Sequence, residues 1–237
     1  ELKFGTMPDR KELEEVHRRL ATDNGITEGY VYLQVTRGAY GARDFVAPDK
    51  PKLTCFAYAE SRPLIDTPSA RNGIRVISVP DIRWARRDIK SVGLLAQALA
   101  KTEAKAQGVD DAWLVAPDGF VTEGASANAW IVTKDGEIIT RALSNMILAG
   151  ITRHALFDSL GQQGRKITER SFTLEEAKNA AEAFVTAATG LVTPVTEIDG
   201  VKLGGGRPGP VTRGVQKIYY TAIGADVSKA APWVNVG

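Results

Sequence analysis

Two Asp-Gly turns most strongly limit what this chain can fold into. Pro117-Asp118-Gly119 and Lys134-Asp135-Gly136 each separate two short runs rich in β-branched and aromatic residues. Such turns are typical of tight connections between antiparallel strands. The sequence therefore predicts four short strands here, at 112–115, 120–122, 128–132 and 137–140.

Further elements flank this region. Helical spacing of apolar residues predicts helices at 11–21, 92–107, 151–160, 174–181 and 211–222, and β-rich runs predict strands at 30–36, 53–59, 74–79 and 183–186. Pro63, Pro68 and Asn72-Gly73 mark a linker. We therefore predict a mixed α/β protein of two domains, the remainder of a small N-terminal domain at 1–72 and a larger one at 73–237.

The residue totals argue against several classes of function. The chain has 30 Lys and Arg and 28 Asp and Glu, and its basic residues form no continuous block. This argues against a nucleic acid partner. No apolar run of about 18 residues occurs, which argues against membrane insertion. One cysteine and two histidines exclude a cysteine metal cluster and disfavour a two-His metal site or a Ser-His-Asp triad. The single Cys55, expected to be buried in a strand, fits a reducing cytoplasm.

A glycine-rich stretch near the C-terminus has the G-x-G-x-x-G spacing through Gly204, Gly206 and Gly209. Pro208 and Pro210 remove two amides that a pyrophosphate could have used. Too few residues follow to complete a βαβ unit. We therefore expect a flexible connection here and no dinucleotide site.

Lys90 is the candidate for covalent chemistry. It follows Arg83, Arg86 and Arg87 between a predicted strand and a predicted helix. Positive neighbours would favour the neutral amine, which can form a Schiff base with a carbonyl group. The alternative is a solvated lysine at a helix start, and these residues alone leave both interpretations open.

Two further features could hold one cofactor together with this lysine. Glu123 follows a predicted strand and precedes small residues, so its carboxylate could keep a pyridine nitrogen protonated. Gly150 precedes a helix whose first amides, at Ile151 and Thr152, would form a phosphate site. The alternatives are a turn acid and an ordinary capped helix. The hydroxyls of 185–194 could clamp a phosphate or belong to a plain strand-to-helix loop.

Taken in order, these elements resemble the D-amino-acid aminotransferases, which belong to the fold type IV class of pyridoxal 5′-phosphate (PLP) enzymes. That class also contains branched-chain aminotransferases and aminodeoxychorismate lyases. The motifs that carry the resemblance extend over nearly the whole chain. They are Tyr32-Leu-Gln-Val-Thr-Arg-Gly38, Asp81-Ile-Arg-Trp84, Asp88-Ile-Lys-Ser91, Thr122-Glu-Gly124 with Ser126 and Asn128, Asn145-Met-Ile-Leu148 and Gly150-Ile-Thr-Arg153.

The resemblance implies a two-domain fold type IV enzyme that binds PLP. Lys90 would be the catalytic residue, as Schiff-base lysine and proton shuttle. Glu123 would face the pyridine nitrogen, Leu148 would support the ring, and the other residues would bind the phosphate. The implied cofactor-binding residues are Lys90, Glu123, Leu148, Ile151, Thr152, Ala188 and Thr189.

The implied substrate contacts depart from the family's pattern. In that pattern an arginine and, two residues later, a histidine follow the strand that ends here at Arg37. Arg43 can clamp a substrate carboxylate, but no histidine follows it and Asp44 would repel a carboxylate. The predicted substrate-binding residues are Arg37, Arg43 and Asp44. The family's phosphate-binding arginine lies upstream of Glu1, so we expect a leading segment that this sequence does not include.

The resemblance implies ping-pong transamination between a D-amino acid such as D-alanine and a 2-oxo acid such as 2-oxoglutarate. It also implies a homodimer; the composition fits the cytoplasm, and no metal is expected. The alternatives on the same fold are transamination of branched-chain L-amino acids or (R)-amines and, as a weaker match, aminodeoxychorismate lyase. From another class, a non-catalytic α/β binding domain that has lost its cofactor stays open.

Overall fold

The structure is a computed structural model that describes residues 1–39, 41, 45–46 and 49–235. It divides into two compact units, Glu1–Leu64 and Ile65–Gly237. This division comes before the domain boundary predicted at 72/73, because the segment Pro68–Asn72 forms a helix that packs in the second unit. There Arg213 Nη1 donates a hydrogen bond to the carbonyl of Ala70, at 2.9 Å.

The first unit contains helix α1 (Arg10–Asp23) and strands β1 (Gly29–Thr36) and β2 (Thr54–Ser61). The helix begins after Asp9, whose carboxylate accepts hydrogen bonds from the amides of Lys11 and Glu12. β1 and β2 pair antiparallel along their full lengths and form a two-stranded sheet.

The expectation that Cys55 is buried is wrong. Cys55 lies on β2 and is exposed, as are Phe56 and Tyr58 on the same strand. A two-stranded sheet has no central strand, so the described residues of this unit do not enclose a core. The apolar composition of the strand alone could not show this.

The second unit holds the other helices and strands of the described residues. Its strands are β3 (Ile74–Pro80), β4 (Asp111–Val115), β5 (Val121–Gly124), β6 (Asn128–Val132), β7 (Ile138–Thr140), β8 (Ile167–Glu169), β9 (Glu182–Ala187), β10 (Leu191–Ile198) and β11 (Val201–Lys202). Its helices are α2 (Pro68–Asn72), α3 (Leu95–Ala106), α4 (Ile151–Gln162), α5 (Leu174–Lys178), α6 (Pro210–Ala222), α7 (Val227–Ala230) and a 3₁₀ helix (Pro232–Asn235).

These strands form one mixed sheet in the order β5-β4-β3-β10-β9-β6-β7-β8, with β11 paired to β10. Both Asp-Gly turns join antiparallel neighbours, β4 to β5 and β6 to β7, as the sequence predicts. β3 runs parallel to β4 and β10. A mixed α/β fold is therefore confirmed.

The core lies against this sheet. Trp113, Ile131 and Phe172 are fully buried in one apolar cluster, while Ala104 of α3 and Leu114 of β4 belong to another. Every fully buried residue in the described part of the chain belongs to the second unit. None of the helices in that part has the length and apolar character needed to span a bilayer.

Two segments near the predicted cofactor residues differ from expectation. α3 begins at Leu95 and not at Val92, since Gly93 precedes it and disfavours helix, which lengthens the loop that carries Lys90. The predicted strand-to-helix loop after β9 is instead a tight turn into β10, because Leu191–Ile198 is rich in β-branched residues and pairs with β9.

Candidate active site

Glu123 stands at the centre of the candidate site. It lies on β5, and its side chain is 5% exposed. Its Oε1 accepts hydrogen bonds from the amide of Leu148 at 2.9 Å and from Asn128 Nδ2 at 2.8 Å. Asn128, on β6, also donates to the carbonyl of Leu148 at 2.8 Å. The structure thus joins the strand carboxylate to the loop that leads into α4.

The other oxygen of Glu123 belongs to a buried ion-pair cluster. Oε2 accepts a hydrogen bond from Arg83 Nη1 at 2.5 Å. Arg83 also binds Asp81 through two nitrogens, Nε at 2.9 Å and Nη2 at 2.8 Å. Thr122 Oγ1 donates to Asp81 at 2.6 Å, and Arg87 Nε lies 3.3 Å from Asp81 Oδ2. Two guanidinium groups therefore balance two carboxylates.

The two carboxylates of this cluster titrate in opposite directions. Burial raises the pKa of Glu123, and the hydrogen bonds from Arg83 and the Leu148 amide oppose that rise. Burial also acts to raise the pKa of Asp81, but its hydrogen bonds from Arg83 and Thr122 outweigh burial and lower it. The same cluster thus holds one firmly ionised carboxylate and one that binds a proton more readily.

The N-terminus of α4 is open to an anion. Its N-cap residue is Gly150, which offers no side-chain cap, so the first amides of the helix lack intrahelical partners. A Cβ at Gly150 would lie 2.2 Å from Asn128 Oδ1, which requires glycine there. The hydroxyl of Thr152 is buried and has no hydrogen-bond partner among the described residues. Ile151, by contrast, is exposed.

Lys90 lies in the loop between β3 and α3 and is exposed. That loop is fastened at two points of the site. Arg83 binds Glu123, and Arg87 donates from its amide to the carbonyl of Asn145 at 2.9 Å and from Nη1 to Met146 Sδ at 2.8 Å. The loop of Lys90 is therefore held against both Glu123 and the segment before Leu148.

The three arginines expected beside Lys90 point elsewhere. Arg83 and Arg87 pair with Asp81, and Arg86 pairs with Asp88 at 2.8 Å. Their guanidinium groups are therefore engaged by carboxylates. The proposed electrostatic effect of these cations on Lys90 gains no support from this arrangement.

The remaining predicted residues lie apart from this cluster or outside the described part of the chain. Ala188 and Thr189 are exposed in the turn between β9 and β10. In the first unit Arg37 donates a hydrogen bond to the carbonyl of Leu2, and its guanidinium carbon lies 5.6 Å from the ring centroid of Phe4. Arg43 and Asp44 lie outside the described residues.

Sequence reasoning missed the supports of Glu123. Asp81, Arg83 and Asn128 were noted only as parts of motifs or as neighbours of Lys90. One signal could have found them. A carboxylate predicted at a strand end in a core must be hydrogen-bonded or paired, and the Asp81-Ile-Arg83 segment supplies a cation together with its counter-ion.

The donors and acceptors of this site suit a phosphorylated pyridine. An ionised carboxylate offers about four lone-pair positions, and three of those on Glu123 are filled by Leu148, Asn128 and Arg83. The fourth can accept one N–H group. The unpartnered hydroxyl of Thr152 and the free amides of α4 suit a phosphate. The described residues include no group of three His, Cys, Asp or Glu side chains that could hold a metal ion.

Fold and site together define a cofactor-dependent α/β enzyme. Residues 2–198 match the family Amino-transferase class IV. The chain belongs to this family. Class IV aminotransferases depend on PLP, so the chain is a PLP-dependent aminotransferase of fold type IV.

Individual relatives agree with this assignment. The chain is 38% identical to a D-alanine aminotransferase of Listeria monocytogenes over 90% of its own length and 74% of the relative. It is 41% identical to a D-alanine aminotransferase of Staphylococcus haemolyticus over 87% of its length and 72% of the relative.

Solved structures show the same fold. A T.th. branched-chain amino acid aminotransferase complexed with 4-methylvaleric acid is 29% identical, with a TM-score of 0.80 over 96% of this chain and 75% of that chain. A branched-chain amino acid aminotransferase of Escherichia coli is 24% identical, with a TM-score of 0.82 over 92% of this chain and 73% of that chain. The latter likeness concerns the fold alone.

Proposed function

We propose that this aminotransferase moves an amino group between a D-amino acid such as D-alanine and a 2-oxo acid such as 2-oxoglutarate. The observation that carries the choice of donor is the similarity to D-alanine aminotransferases, at 36–41% identity. In a ping-pong cycle the donor leaves as a 2-oxo acid before the acceptor binds. The acceptor then leaves as an amino acid, so the overall exchange needs no oxidant or reductant.

The residues of the site would divide the work as follows. When bound, PLP supplies a ring that withdraws electrons from the substrate's α-carbon. Glu123 holds a proton at the ring nitrogen through its open acceptor position. Lys90 Nζ binds the cofactor and moves the proton at the α-carbon. Thr152 and the first amides of α4, beginning at Ile151, bind the phosphate.

Three further roles complete the proposal. Leu148, whose backbone is fixed by Glu123 and Asn128, would support the ring. Ala188 and Thr189 offer main-chain amides to the phosphate from the β9–β10 turn. Arg43, with Asp44 and Arg37, would recognise the substrate carboxylate, since guanidinium groups bind carboxylates bidentately.

The first experiment removes the proposed catalytic amine. We expect Lys90→Ala to lower the rate of D-alanine transamination by at least about 100-fold, because a positioned acid–base group contributes that much or more. Lys217→Ala is the matched control, since Lys217 is an exposed lysine of α6. A Lys90→Ala protein that transaminates at the control's rate would refute the assignment.

The second experiment tests the donor. D-alanine, L-leucine and (R)-1-phenylethylamine are supplied separately with 2-oxoglutarate, and the loss of each amine is measured. The proposal expects the highest kcat/KM for D-alanine. A preference for L-leucine would instead support branched-chain transamination, the activity for which the 29% identical T.th. enzyme is named. Preference for the aromatic amine would point to (R)-amine transamination.

Cofactor binding separates an enzyme from a non-catalytic binding domain. The full chain is titrated with PLP while its absorbance and the fluorescence of its tryptophans are recorded. We expect saturable binding that weakens in Lys90→Ala. Failure of the wild-type chain to bind PLP would favour the binding-domain alternative.

We also propose that the enzyme works as a homodimer in the cytoplasm. Between residues 82 and 99 the second unit carries six apolar side chains that are each more than half exposed and that we call the apolar patch: Ile82, Trp84, Val92, Leu94, Leu95 and Leu99. Four of them line one groove of about 510 Å³. Monomers rarely expose contiguous apolar surface of this kind, so a second copy of the chain is the occupant we propose.

Sedimentation analysis tests the dimer. We expect the wild-type chain to sediment as a dimer and Leu95→Glu to sediment as a monomer, because a charge at a buried apolar interface is costly. Ile223→Glu is the control, as Ile223 is exposed at the end of α6 and outside the patch. A dimer that tolerates Leu95→Glu would refute this use of the patch.

A further inference from the structure

The buried cluster beneath Glu123 does more than neutralise charge. Arg83 uses its fork, Nε and Nη2, on the two oxygens of Asp81. Nη2 also donates to Thr122 Oγ1 at 3.3 Å, which leaves Nη1 to reach Glu123 Oε2. Had the fork faced Glu123, both oxygens of that carboxylate would have taken a guanidinium N–H. The contacts of Nε and Nη2 with Asp81 and Thr122 thus leave Arg83 one hydrogen bond to Glu123.

This restriction leaves one acceptor position on Glu123. Oε1 already accepts from Leu148 and Asn128, and Oε2 accepts from Arg83. A carboxylate has about four lone-pair positions on its two oxygens. The remaining acceptor position of Glu123 therefore lies on Oε2, the oxygen that Arg83 binds. Any ring N–H held by Glu123 therefore shares its acceptor atom with Arg83.

We infer that Arg83 and Asp81 are positioning residues: Arg83 favours the ionised form of Glu123, Asp81 limits Arg83 to one hydrogen bond on it, and together they set how strongly Glu123 holds the proton of the pyridine nitrogen. This inference rests on the proposed role of Glu123. Arg83 stabilises the carboxylate form against burial, and Asp81 limits that stabilisation by drawing the guanidinium away. Neither residue needs to touch the cofactor.

The groups around Glu123 support this division. Arg83 and Asp81 face it from the segment after β3, and Arg87 acts on Asp81 from the same loop. Asn128 from β6 and the Leu148 amide are neutral donors. Burial raises the pKa of Glu123 while Arg83 opposes the rise, so Arg83 is the cation whose loss should matter most.

Opposite changes are expected from the two positioning residues. Without the Arg83 charge, as in Arg83→Gln, Glu123 should take up a proton at higher pH. In Asp81→Asn, Arg83 loses its anionic partner and binds Glu123 more strongly, and the direct repulsion of Glu123 by the Asp81 charge is also lost, so Glu123 should take up a proton at lower pH. Both variants should lower kcat, since the first favours the protonated form of Glu123 and the second makes Glu123 a weaker acceptor.

The direct test is the titration of Glu123 by ¹³C NMR. The full chain carries glutamate labelled at Cδ, and Glu123→Gln identifies the signal. The titration is recorded on protein freed of PLP, so it does not depend on transamination. We expect the pKa of Glu123 to rise in Arg83→Gln, to rise less in Arg83→Lys, and to fall in Asp81→Asn. Arg170→Gln, which removes the Arg170–Glu176 pair elsewhere, should leave it unchanged.

A kinetic readout on the reloaded enzyme completes the test. Loss of one charge-assisted hydrogen bond corresponds to about a 10- to 100-fold fall in kcat for Arg83→Gln. The dissociation constant of PLP should change less, because the proposed phosphate contacts lie at α4 and the β9–β10 turn and do not involve Arg83. A Glu123 titration that is the same in Arg83→Gln as in Arg170→Gln would overturn the inference.

The remaining outcomes of these experiments also support or refute the inference. If Arg83→Gln fails to fold, Arg83→Lys is used in its place. An unchanged pKa of Glu123 in Arg83→Lys would also refute the inference. If Arg83→Gln and Asp81→Asn shift the titration in the same direction, Asp81 does not restrain Arg83 and the inference is wrong. If D-alanine is not a donor but the titrations shift as expected, the donor proposal fails and the positioning role stands.

Discussion

The substitution Gly150→Ala tests the geometry that joins Glu123 to the phosphate end of the site. Gly150 has φ −64° and ψ 137°, which alanine adopts without strain. The added Cβ, however, would lie 2.2 Å from Asn128 Oδ1. Asn128 must therefore move by about 1 Å to restore an ordinary carbon–oxygen contact. Its side chain is held by two hydrogen bonds, to Glu123 and to Leu148.

The magnitude follows from those two bonds. A hydrogen bond to a charged group contributes about 1.5–3 kcal/mol and a neutral one about 0.5–1.5 kcal/mol. Replacing glycine by alanine at a compatible backbone position returns about 0.4–1 kcal/mol. We therefore expect Gly150→Ala to lower the free energy of unfolding by about 1–4 kcal/mol. Urea unfolding of the protein freed of PLP measures it.

Two controls make the result decisive. Gly161→Ala, in α4, places its Cβ within 4 Å of no atom and should stabilise the protein by up to about 1 kcal/mol. In an Asn128→Ala background the clashing oxygen is gone, so Gly150→Ala should cost nothing further. A wild-type unfolding midpoint for Gly150→Ala, or an equal cost in both backgrounds, would refute the reasoning.

Three other predictions follow from the same contacts. Thr152→Val should stabilise the PLP-free protein by about 1–3 kcal/mol, since it removes a buried unpartnered hydroxyl, and should weaken PLP binding by about 10-fold or more, as calorimetry would show. In the folded state the pKa of Asp81 lies below its ordinary value of 3.8. The ionised side chain therefore stabilises the folded protein above pH 3.8, and this stabilisation is lost as the pH falls through the folded pKa. The free energy of unfolding of Asp81→Asn should therefore fall less steeply in acid than that of the wild type. Gly209→Ala would place a Cβ 2.1 Å from Glu182 Cδ and should cost about 2–4 kcal/mol by thermal or urea unfolding, because Glu182 accepts the first amides of α6.

Several parts of the fold were predictable from local sequence. The Asp-Gly turns predicted the β4–β5 and β6–β7 pairs because such turns fix the direction of the chain within a few residues. α1 begins after Asp9 for the equally local reason that its carboxylate caps the first amides. α4 begins at Ile151, where the sequence placed it after Gly150.

Other parts were not predictable because they depend on distant partners. The sequence places a strand-to-helix loop within 185–194, yet 191–198 forms β10 between β3 and β9. Cys55 lies in an apolar run, yet it is exposed because too few described strands surround it. Burial depends on what packs against a segment, and the amino-acid sequence of the segment does not contain that information.

The same distinction applies to the candidate site. The sequence by itself determined which groups could do chemistry: an amine at Lys90, a carboxylate at Glu123 and a helix start after Gly150, in an order typical of class IV aminotransferases. Only the tertiary structure determined which residues contact Glu123. Arg83 reaches it across 40 residues of chain, because a carboxylate buried at a strand end must find its charge and hydrogen bonds wherever the fold brings a donor close.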